Sequence, residues 1–312
     1  MTRRSRRRER PEHGPPGFLV VDKPTGWTSH DVVDAARRWL GARRVGHLGT
    51  LDPLATGVLP LAVRSATKLI PFVEDREKSY TGTIRLGVET DTLDAEGQVE
   101  RRFEGTLPDE AQVRDALRHF VGEIEQIPPM FSAVKKGGVP LHKLAREGRH
   151  VDREPKSVRI DRLDLLKYEP PFVELSVDCS GGTYVRALAA DLGARLGCGA
   201  HLASLRRTRS GPFDLSLALT PEQLEADMES GEIERRLIPP LGVLGLPALR
   251  VEPDEIRQLQ RGGEIAASGP PQPPGARMAA HDDAGRVVAI VELRPGRRIR
   301  PLRVIAPFAG DR

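Results

Sequence analysis

The part of the sequence with the most pronounced chemical character is the run GHLGTLDPLATG at residues 46–57. Its three glycines allow the backbone to approach a ligand closely. Pro53 fixes its own φ angle and disfavours helical geometry at Asp52, so the carboxylate of Asp52 is presented on a stiff loop. His47, two threonines and this carboxylate are the polar groups of the run, and its leucines would exclude water. Local chemistry alone favours a simpler interpretation, a Gly/Pro turn in which Asp52 accepts backbone hydrogen bonds, because Asp-Pro turns are common.

Patterns of apolar residues predict the elements that must position this loop. Strands are predicted where apolar residues run together or alternate with polar ones, at 18–21, 58–61, 80–86 and 173–179. Helices are predicted from Thr28 to Leu40, at 108–121 and at 183–196, each followed by a glycine. Because these elements do not alternate in a regular β-α-β order, we expect an α+β fold, with a largely antiparallel mixed sheet flanked by helices.

The two ends of the chain differ from this central part. Residues 1–16 are predicted to form a disordered basic arm that is closed by Gly14-Pro15-Pro16. A linker is predicted at 237–242, before a small β-rich domain at 244–312. The strand candidates of this second domain lie at 248–251, 286–293 and 299–306.

The charge of the protein is concentrated in short segments. The first ten residues contain six Arg and one Glu, so the other 302 residues carry 42 basic and 43 acidic groups. Within this nearly neutral body, residues 195–209 and 294–303 are rich in Arg and contain no acid. Local basic patches indicate a polyanionic partner such as a folded RNA. Each run taken alone is also typical of a solvated protein face.

Composition excludes several classes of protein. The chain is 38% hydrophobic and 29% charged, and no apolar run reaches the roughly 18 residues of a membrane span. The sequence MTRRSRRRER is not followed by an apolar segment, which argues against a secretory signal. Two cysteines cannot form a disulfide framework or a four-cysteine zinc site. We therefore expect a cytoplasmic protein that has no membrane segment and no structural metal.

Taken in full, the run GHLGTLDPLATGVLPL closely resembles the catalytic motif of the TruB family, the bacterial tRNA pseudouridine synthases that isomerise a uridine in the T-loop. Other blocks resemble further motifs of the family and follow its order between about residues 17 and 213. They are VDKPTGWTS at 21–29, KSY at 78–80, PPMFSAVK at 128–135, LAREG at 144–148, GTYVR at 182–186 and GAHLASLRR at 199–207.

The resemblance implies both a fold and a domain organisation. Residues 17–243 would form a catalytic domain with the pseudouridine-synthase fold, including the TruB-type insertion around residues 128–148. Residues 244–312 stand where the family carries a small β-barrel of the PUA type, which binds the end of the acceptor arm. The arginines at 294–303 would supply phosphate contacts there.

The resemblance also assigns three catalytic residues. Asp52 would be the nucleophile, and Arg186 would pair with it, which would keep the carboxylate ionised and correctly aimed. Tyr80 would stack on the target base. The residues leave open whether Asp52 attacks the base or the ribose carbon. This chemistry requires no cofactor and no metal.

Four further residues are implied to bind the substrate. His47 would support the gap that the extruded uridine leaves in the RNA, because the base must leave the stack to be modified. Tyr184 and Leu205 would line the pocket, and Lys23 would either contact a phosphate or fix the active-site loop. The partner would be tRNA, bound through its T-arm and acceptor end by a monomeric enzyme.

Two other functions remain open from the sequence alone. The chain could be the catalytic subunit of an RNA-guided pseudouridylation complex, although the compact insertion at 128–148 argues against it. It could also be a non-enzymatic module that binds or folds tRNA, although a complete set of Asp52, Tyr80 and Arg186 argues against decay of the site. Two residues depart from the family pattern. Leu48 replaces a small residue or Thr next to His47, and His142 replaces a Tyr.

Overall fold

A computed structural model describes residues 14–73, 77–132, 134–149, 151–268 and 272–305. The strands in these ranges are β1 (Gly17–Lys23), β2 (Val45–His47), β3 (Thr56–Val63), β4 (Lys78–Leu86), β5 (Val88–Thr90), β6 (Val99–Arg102), β7 (Gly122–Gln126), β8 (Lys135–Lys136), β9 (Val139–Pro140), β10 (Lys156–Glu169), β11 (Phe172–Cys179), β12 (Ala200–Ser210), β13 (Phe213–Asp214), β14 (Ala248–Arg250), β15 (Ile265–Ala266), β16 (Arg277–His281), β17 (Val287–Arg294) and β18 (Arg298–Val304). The α-helices are α1 (Ser29–Trp39), α2 (Glu110–Arg118), α3 (Leu141–Arg146), α4 (Val185–Arg195), α5 (Pro221–Glu229), α6 (Pro240–Leu244) and α7 (Pro253–Gln260). Three short 3-10 helices are Arg64–Phe72, Leu215–Leu217 and Ile233–Arg236.

The main sheet has the strand order β1-β3-β12-β4-β11-β10-β7, with β2 paired to β3 and β13 paired to β12. Every pair in it is antiparallel except β3 and β12, which pair in parallel over two positions. The close approach of these two strands requires glycine at residue 57, where φ is +98° and a Cβ atom would lie 2.2 Å from the carbonyl oxygen of Arg207. The prediction of a largely antiparallel mixed sheet is confirmed.

Helices cover one face of this sheet and form the larger hydrophobic core with it. Along β4, the buried positions alternate with half-buried ones, which is the pattern of a strand with one covered face. The buried side chains of α1, α2 and α4 that meet this face include Val32, Val33, Ala36, Trp39, Val113, Leu117, Leu188 and Leu192. The remaining face of β4 and β11 is partly open to solvent.

The predicted helices are present, with shifted ends. Helix α1 begins at the predicted hydroxyl cap, because Thr28 and Asp31 form a capping box. Helix α2 is shorter than the predicted 108–121, since Asp109 caps its first turn and the chain leaves helical geometry after His119. Helix α4 begins at Val185 rather than at residue 183.

The C-terminal part forms a second sheet with the order β14-β16-β17-β18-β15, and α7 packs beside it. The strands predicted at 248–251 and 286–293 are present within one residue, as β14 and β17. The strand predicted at 299–306 is present as β18 up to Val304, and residues 306–312 lie outside the described ranges. Helix α7 and strands β15 and β16 were not predicted.

The predicted linker at 237–242 is packed against β1. Ile238 exchanges two backbone hydrogen bonds with Phe18, at 2.9 and 2.8 Å, and α6 follows directly. A second apolar core then spans both sheets, with Val20, Leu48, Val58, Val243, Leu244, Ile290 and Ile305 among its members. Leu48 is part of this core, so a large apolar side chain fits at this position although it departs from the family pattern. The side chain of His142 and the arm residues 1–13 lie outside what the structure describes.

Candidate active site

A pocket of about 210 Å³ lies where the loop between β2 and β3 meets β4, β12 and the start of α4. Five of the predicted site residues line it, namely Asp52, Tyr80, Tyr184, Arg186 and Leu205. Its other lining residues are Thr50, Leu51, Lys78, Ser132, Gly182, Thr183 and Val185. The two predicted residues that do not line it are Lys23 and His47.

Arg186 and Asp52 form an ion pair at this pocket. The Nε atom of Arg186 lies 2.9 Å from Oδ2 of Asp52. The Arg186 side chain is only 6% exposed, whereas the Asp52 side chain is 39% exposed and borders the pocket. The cation is therefore a buried support, and the carboxylate remains accessible to a ligand.

Three further acceptors hold the guanidinium of Arg186 in place. Nη1 donates to the carbonyl of Thr92 at 3.0 Å, and Nη2 donates to the carbonyl of Phe131 at 2.9 Å. Nη1 also lies 3.4 Å from Oδ2 of the buried Asp94. With all three guanidinium nitrogens engaged, Arg186 is preorganised to direct Nε at Asp52.

Two opposing effects act on the carboxylate of Asp52. Burial raises the pKa of Asp52, because removal from water disfavours the charged form. The neighbouring Arg186 acts in the opposite direction and limits this rise in the pKa. Loss of the arginine would therefore weaken both the orientation and the ionisation of the carboxylate.

Tyr80 and Arg207 face each other across the neighbouring strands β4 and β12. Tyr80 is 7% exposed, and the charge of the nearby Arg207 opposes the effect of burial on the pKa of its hydroxyl. Arg207 is fully buried, and its nitrogens donate to the carbonyls of Val58 at 2.7 Å and Gly49 at 3.2 Å. Burial raises the pKa of Tyr80, so the phenol is protonated at neutral pH. Arg207 thus ties the loop that carries Asp52 to the central sheet.

The Arg-rich run at residues 195–209 does not present all of its arginines on one face of the protein. Successive residues of a strand point to opposite faces of the sheet. Arg207 enters the interior, while its neighbour Arg206 turns to the other side and pairs with Asp22 at 2.7 Å.

Lys23 has a structural position in this site. The residue is fully buried, and its Nζ atom donates to the carbonyls of Pro24 at 2.9 Å, Trp27 at 2.6 Å and Pro53 at 3.2 Å. Of the two roles expected for Lys23, this arrangement favours fixing the loop and disfavours contact with a phosphate. Burial lowers the pKa of Lys23 to about 8.

His47 ends β2, a short strand that pairs with β3. It is half-buried, and burial together with the charge of Arg207 lowers its pKa. The imidazole is therefore neutral at physiological pH. A neutral ring can stack on bases without repelling other cations.

Comparison with known proteins identifies the family. A model of the N-terminal domain of the TruB family of pseudouridylate synthases matches residues 37–185, and a model of the C-terminal domain of tRNA pseudouridylate synthase B matches residues 186–244. A tRNA pseudouridine synthase B from Pseudomonas paraeruginosa is 45% identical over 93% of this chain and 95% of its own. One from Geobacter sulfurreducens is 43% identical over 92% of this chain and 99% of its own. The chain belongs to the TruB family.

Solved structures agree with this assignment. A Cbf5–Nop10–Gar1 complex contains a chain that superimposes with a TM-score of 0.69 and 25% identity, covering 96% of this chain and 92% of that one. A chain of an archaeal box H/ACA Nop10–Cbf5 complex superimposes with the same TM-score, and the match covers 93% of this chain and 86% of that one. The predicted pseudouridine-synthase fold is confirmed, and so is the predicted enzyme class, an isomerase.

The sequence did not single out Asp94 and Gln126 of this TruB-family site. Asp94 lies in a tight turn in which Thr92 donates to its Oδ1 at 2.6 Å, a pattern that in sequence is ordinary for a surface turn. Gln126 is 1% exposed, accepts from the backbone nitrogen of Tyr184 at 3.0 Å and donates to its carbonyl at 3.3 Å. No local signal in the sequence indicates that either side chain is buried beside the pocket.

A wider groove of about 610 Å³ lies beside the pocket and shares Leu205 with it. Most of its polar lining consists of hydroxyl groups, from Thr25, Thr56, Thr81, Thr83 and Ser204. Arg206 and Glu174 also line it, so cations and anions are balanced. This lining suits the neutral parts of a nucleic acid better than its phosphates.

The described residues lack both a metal-binding cluster and a membrane-spanning helix. No three His, Cys, Asp or Glu side chains in the described ranges come together in a way that could hold a metal ion. Among the helices in the same ranges, none combines the length and the apolar character needed to cross a bilayer.

Proposed function

We propose that this TruB-family enzyme isomerises a uridine in the T-loop of tRNA to pseudouridine, with Asp52 as the nucleophile. The observation that carries the proposal is the accessible Asp52 carboxylate, paired with the buried Arg186 at 2.9 Å in a pocket flanked by aromatic and aliphatic side chains. Isomerisation of a tRNA uridine is the activity of the family, and relatives that share 43–45% identity over nearly their whole length carry that name.

The reaction rearranges bonds without a net change in atoms. The bond between N1 of the base and C1′ of the ribose breaks, the base turns, and a bond forms between C5 and C1′. The proton on C5 is lost, and N1 gains one. A carboxylate can take part covalently and leave again, which supports Asp52 as the group that carries the fragment. Attack on the base and attack on the ribose carbon are both compatible with the position of Asp52.

The other lining residues have roles that follow from their chemistry. Tyr80 offers a ring on which the extruded base stacks, and Tyr184 and Leu205 exclude water around the reacting atoms. The neutral His47 fills the gap left in the RNA. Nucleotides next to the target would lie across Leu205 in the hydroxyl-lined groove.

We also propose that the C-terminal sheet is a PUA-like module that holds the acceptor end of the tRNA. Five arginines at its edge are exposed, Arg294, Arg297, Arg298, Arg300 and Arg303, which supports contact with phosphates. The enzyme would act as a monomer, which is supported by the meeting of Asp52, Tyr80 and Arg186 within one chain.

The alternative functions are less well supported. The RNA-guided complexes among the solved structures share 25% identity with this chain, whereas the bacterial tRNA enzymes share 43–45%. A non-enzymatic module would not require a preorganised ion pair beside an open pocket.

The test is incubation of the purified protein with an unmodified tRNA transcript, followed by mapping of pseudouridine at single-nucleotide resolution. We expect one modified uridine, in the T-loop, without any added RNA or protein. Absence of product until a guide RNA is added would contradict the proposal and favour the RNA-guided alternative. Tight binding of tRNA with no product under any condition would favour the non-enzymatic module.

A further inference from the structure

A buried serine hydroxyl lies directly behind the nucleophile loop. Ser29 is the first residue of α1 and is 4% exposed. Its Oγ atom donates to the carbonyl of Leu51 at 2.9 Å and accepts from the backbone nitrogen of Leu51 at 2.8 Å. One side chain thus satisfies both backbone polar groups of the residue that immediately precedes Asp52.

These two hydrogen bonds matter because they act at the residue next to Asp52, whereas Arg207 and Lys23 hold the loop further away, at Gly49 and Pro53. Residues 48–55 lie between β2 and β3 and form no strand pairing of their own. Buried backbone groups that lack a partner in a sheet or helix must find one elsewhere. At Leu51, which is 3% exposed, Ser29 supplies both partners.

We propose that Ser29 is a positioning residue for catalysis, which sets the Asp52 carboxylate relative to Arg186 by fixing the backbone at Leu51. This inference rests on the proposed role of Asp52 as the nucleophile. Helix α1 packs in the main core through Val32 and Val33, so Ser29 links the loop to a rigid element. The hydroxyl acts only through the backbone and touches neither the pocket nor the substrate.

The neighbouring residue Thr28 provides a matched control. Its exposed hydroxyl caps the same helix by accepting from the backbone nitrogen of Asp31 at 3.1 Å, and it donates to the Asp31 carboxylate at 2.7 Å. Thr28→Ala weakens the start of α1 without changing the support of Leu51. A role of Ser29 that operated only through the stability of the helix would therefore be reproduced by Thr28→Ala.

The experiment compares Ser29→Ala, Ser29→Thr and Thr28→Ala with the parent enzyme. Single-turnover rates on unmodified tRNA, equilibrium tRNA binding and thermal midpoints are measured for each. Because small misplacements of a reacting group are costly, we expect Ser29→Ala to reduce the rate roughly 10- to 100-fold. Its affinity for tRNA should stay within about twofold, since phosphate contacts dominate binding.

The controls decide between positioning and simple destabilisation. Thr28→Ala should lower the thermal midpoint but keep a rate near that of the parent. Ser29→Thr, which retains the hydroxyl, should recover most of the rate. A folded Ser29→Ala with the parent's rate, or equal losses of rate in Ser29→Ala and Thr28→Ala, would overturn the inference.

Two further variants keep the test independent of folding and of the proposed function. If Ser29→Thr does not fold, Ser29→Cys, a weaker hydrogen-bonding group, should give a rate between those of Ser29→Ala and the parent; a rate no higher than that of Ser29→Ala would count against positioning. Asp52→Asn is assayed in parallel. An inactive Asp52→Asn together with an unimpaired Ser29→Ala would refute only the role of Ser29. An active Asp52→Asn would refute the proposed function itself.

Discussion

The Nε atom of Arg186 lies 2.9 Å from Oδ2 of Asp52, while the two terminal nitrogens of the same guanidinium are occupied by the carbonyls of Thr92 and Phe131. The arginine therefore has one nitrogen directed at the Asp52 carboxylate and two that fix its plane. This division of donors is specific to a guanidinium, because an ammonium is a point charge without a fixed plane.

Arg186→Lys tests whether the site needs the planar guanidinium or only its positive charge. The charge beside Asp52 is retained, but the aligned contacts to Thr92 and Phe131 are lost. Charged hydrogen bonds are worth about 1.5–3 kcal/mol each, so kcat should fall by roughly 10- to 100-fold or more. The affinity for tRNA should change little. Steady-state kinetics beside a binding titration check this, and a kcat equal to that of the parent would show that only the charge matters.

Asp94→Asn tests whether the buried Asp94 carboxylate supports the ion pair between Arg186 and Asp52. Oδ2 of Asp94 lies 3.4 Å from Nη1 of Arg186, and Thr92 donates to its other oxygen. The amide keeps the size of the side chain but leaves the buried Arg186 with one fewer counter-charge. We expect kcat to fall about 10-fold or more while tRNA binding persists. A matched change at the exposed Asp254, in α7, should leave kcat as it is.

Much of this site can be predicted from the sequence. The type and spacing of Asp52, Tyr80, Tyr184, Arg186 and Leu205 carry the resemblance to the family, and the structure gathers these five in one pocket. The strand of Tyr80 and the helix that begins beside Arg186 follow from local apolar patterns. The strand β12, which holds Leu205, was not predicted.

The supporting residues cannot be predicted in this way. Arg207 and Lys23 are cations, which a sequence places at the surface by default, yet both are fully buried against backbone carbonyls. Asp94 belongs to a turn whose backbone pairs with Leu202 of β12, which is far away in the sequence. These residues are fixed by tertiary contacts between distant segments, and such contacts leave no periodic signal.

The buried Lys23 predicts a specific dependence of stability on pH. Burial lowers its pKa to about 8 from 10.5, so between these values the unfolded chain carries a proton that the folded chain lacks. The free energy of unfolding should therefore rise with pH across this window, relative to that of Lys23→Met. Urea denaturation at pH 7.5 and 9.5 measures the difference in the free energy of unfolding between the parent and Lys23→Met.

A suitable control is Lys167→Met. Lys167 is exposed, and its pair with Glu169 raises the pKa of the lysine. The contribution of Lys167 to the free energy of unfolding should therefore not increase between pH 7.5 and 9.5. A stability difference between the parent and Lys23→Met that is constant or shrinks with pH would contradict the assigned pKa of Lys23.

The exposed arginines of the C-terminal sheet predict a selective loss of affinity. Deleting the whole module is a poor test, because its residues share the second core with β1 and β3. The double variant Arg298→Ala/Arg300→Ala should instead raise KM for full-length tRNA and reduce the salt dependence of binding by up to about two counterions. An isolated T-arm stem-loop should be processed as well as before.

Arg235→Ala is the control for that variant, because Arg235 is 80% exposed but lies in the acidic segment after α5. Arg235→Ala should leave KM unchanged for both the full-length tRNA and the isolated stem-loop. If Arg298→Ala/Arg300→Ala impairs the stem-loop as much as the full tRNA, the C-terminal module supports the active site instead of the acceptor end.

The most direct test of the account is the turnover of Asp52→Asn on unmodified tRNA. Asparagine keeps the size and most of the hydrogen-bonding capacity of the side chain but removes the charge and the nucleophilic oxygen. We predict that pseudouridine formation falls to background while tRNA binding is retained or slightly tighter, because phosphate contacts and stacking come from other residues. Turnover within about tenfold of the parent enzyme, a loss equivalent to only about 1.4 kcal/mol, would contradict the assignment of Asp52 as the nucleophile.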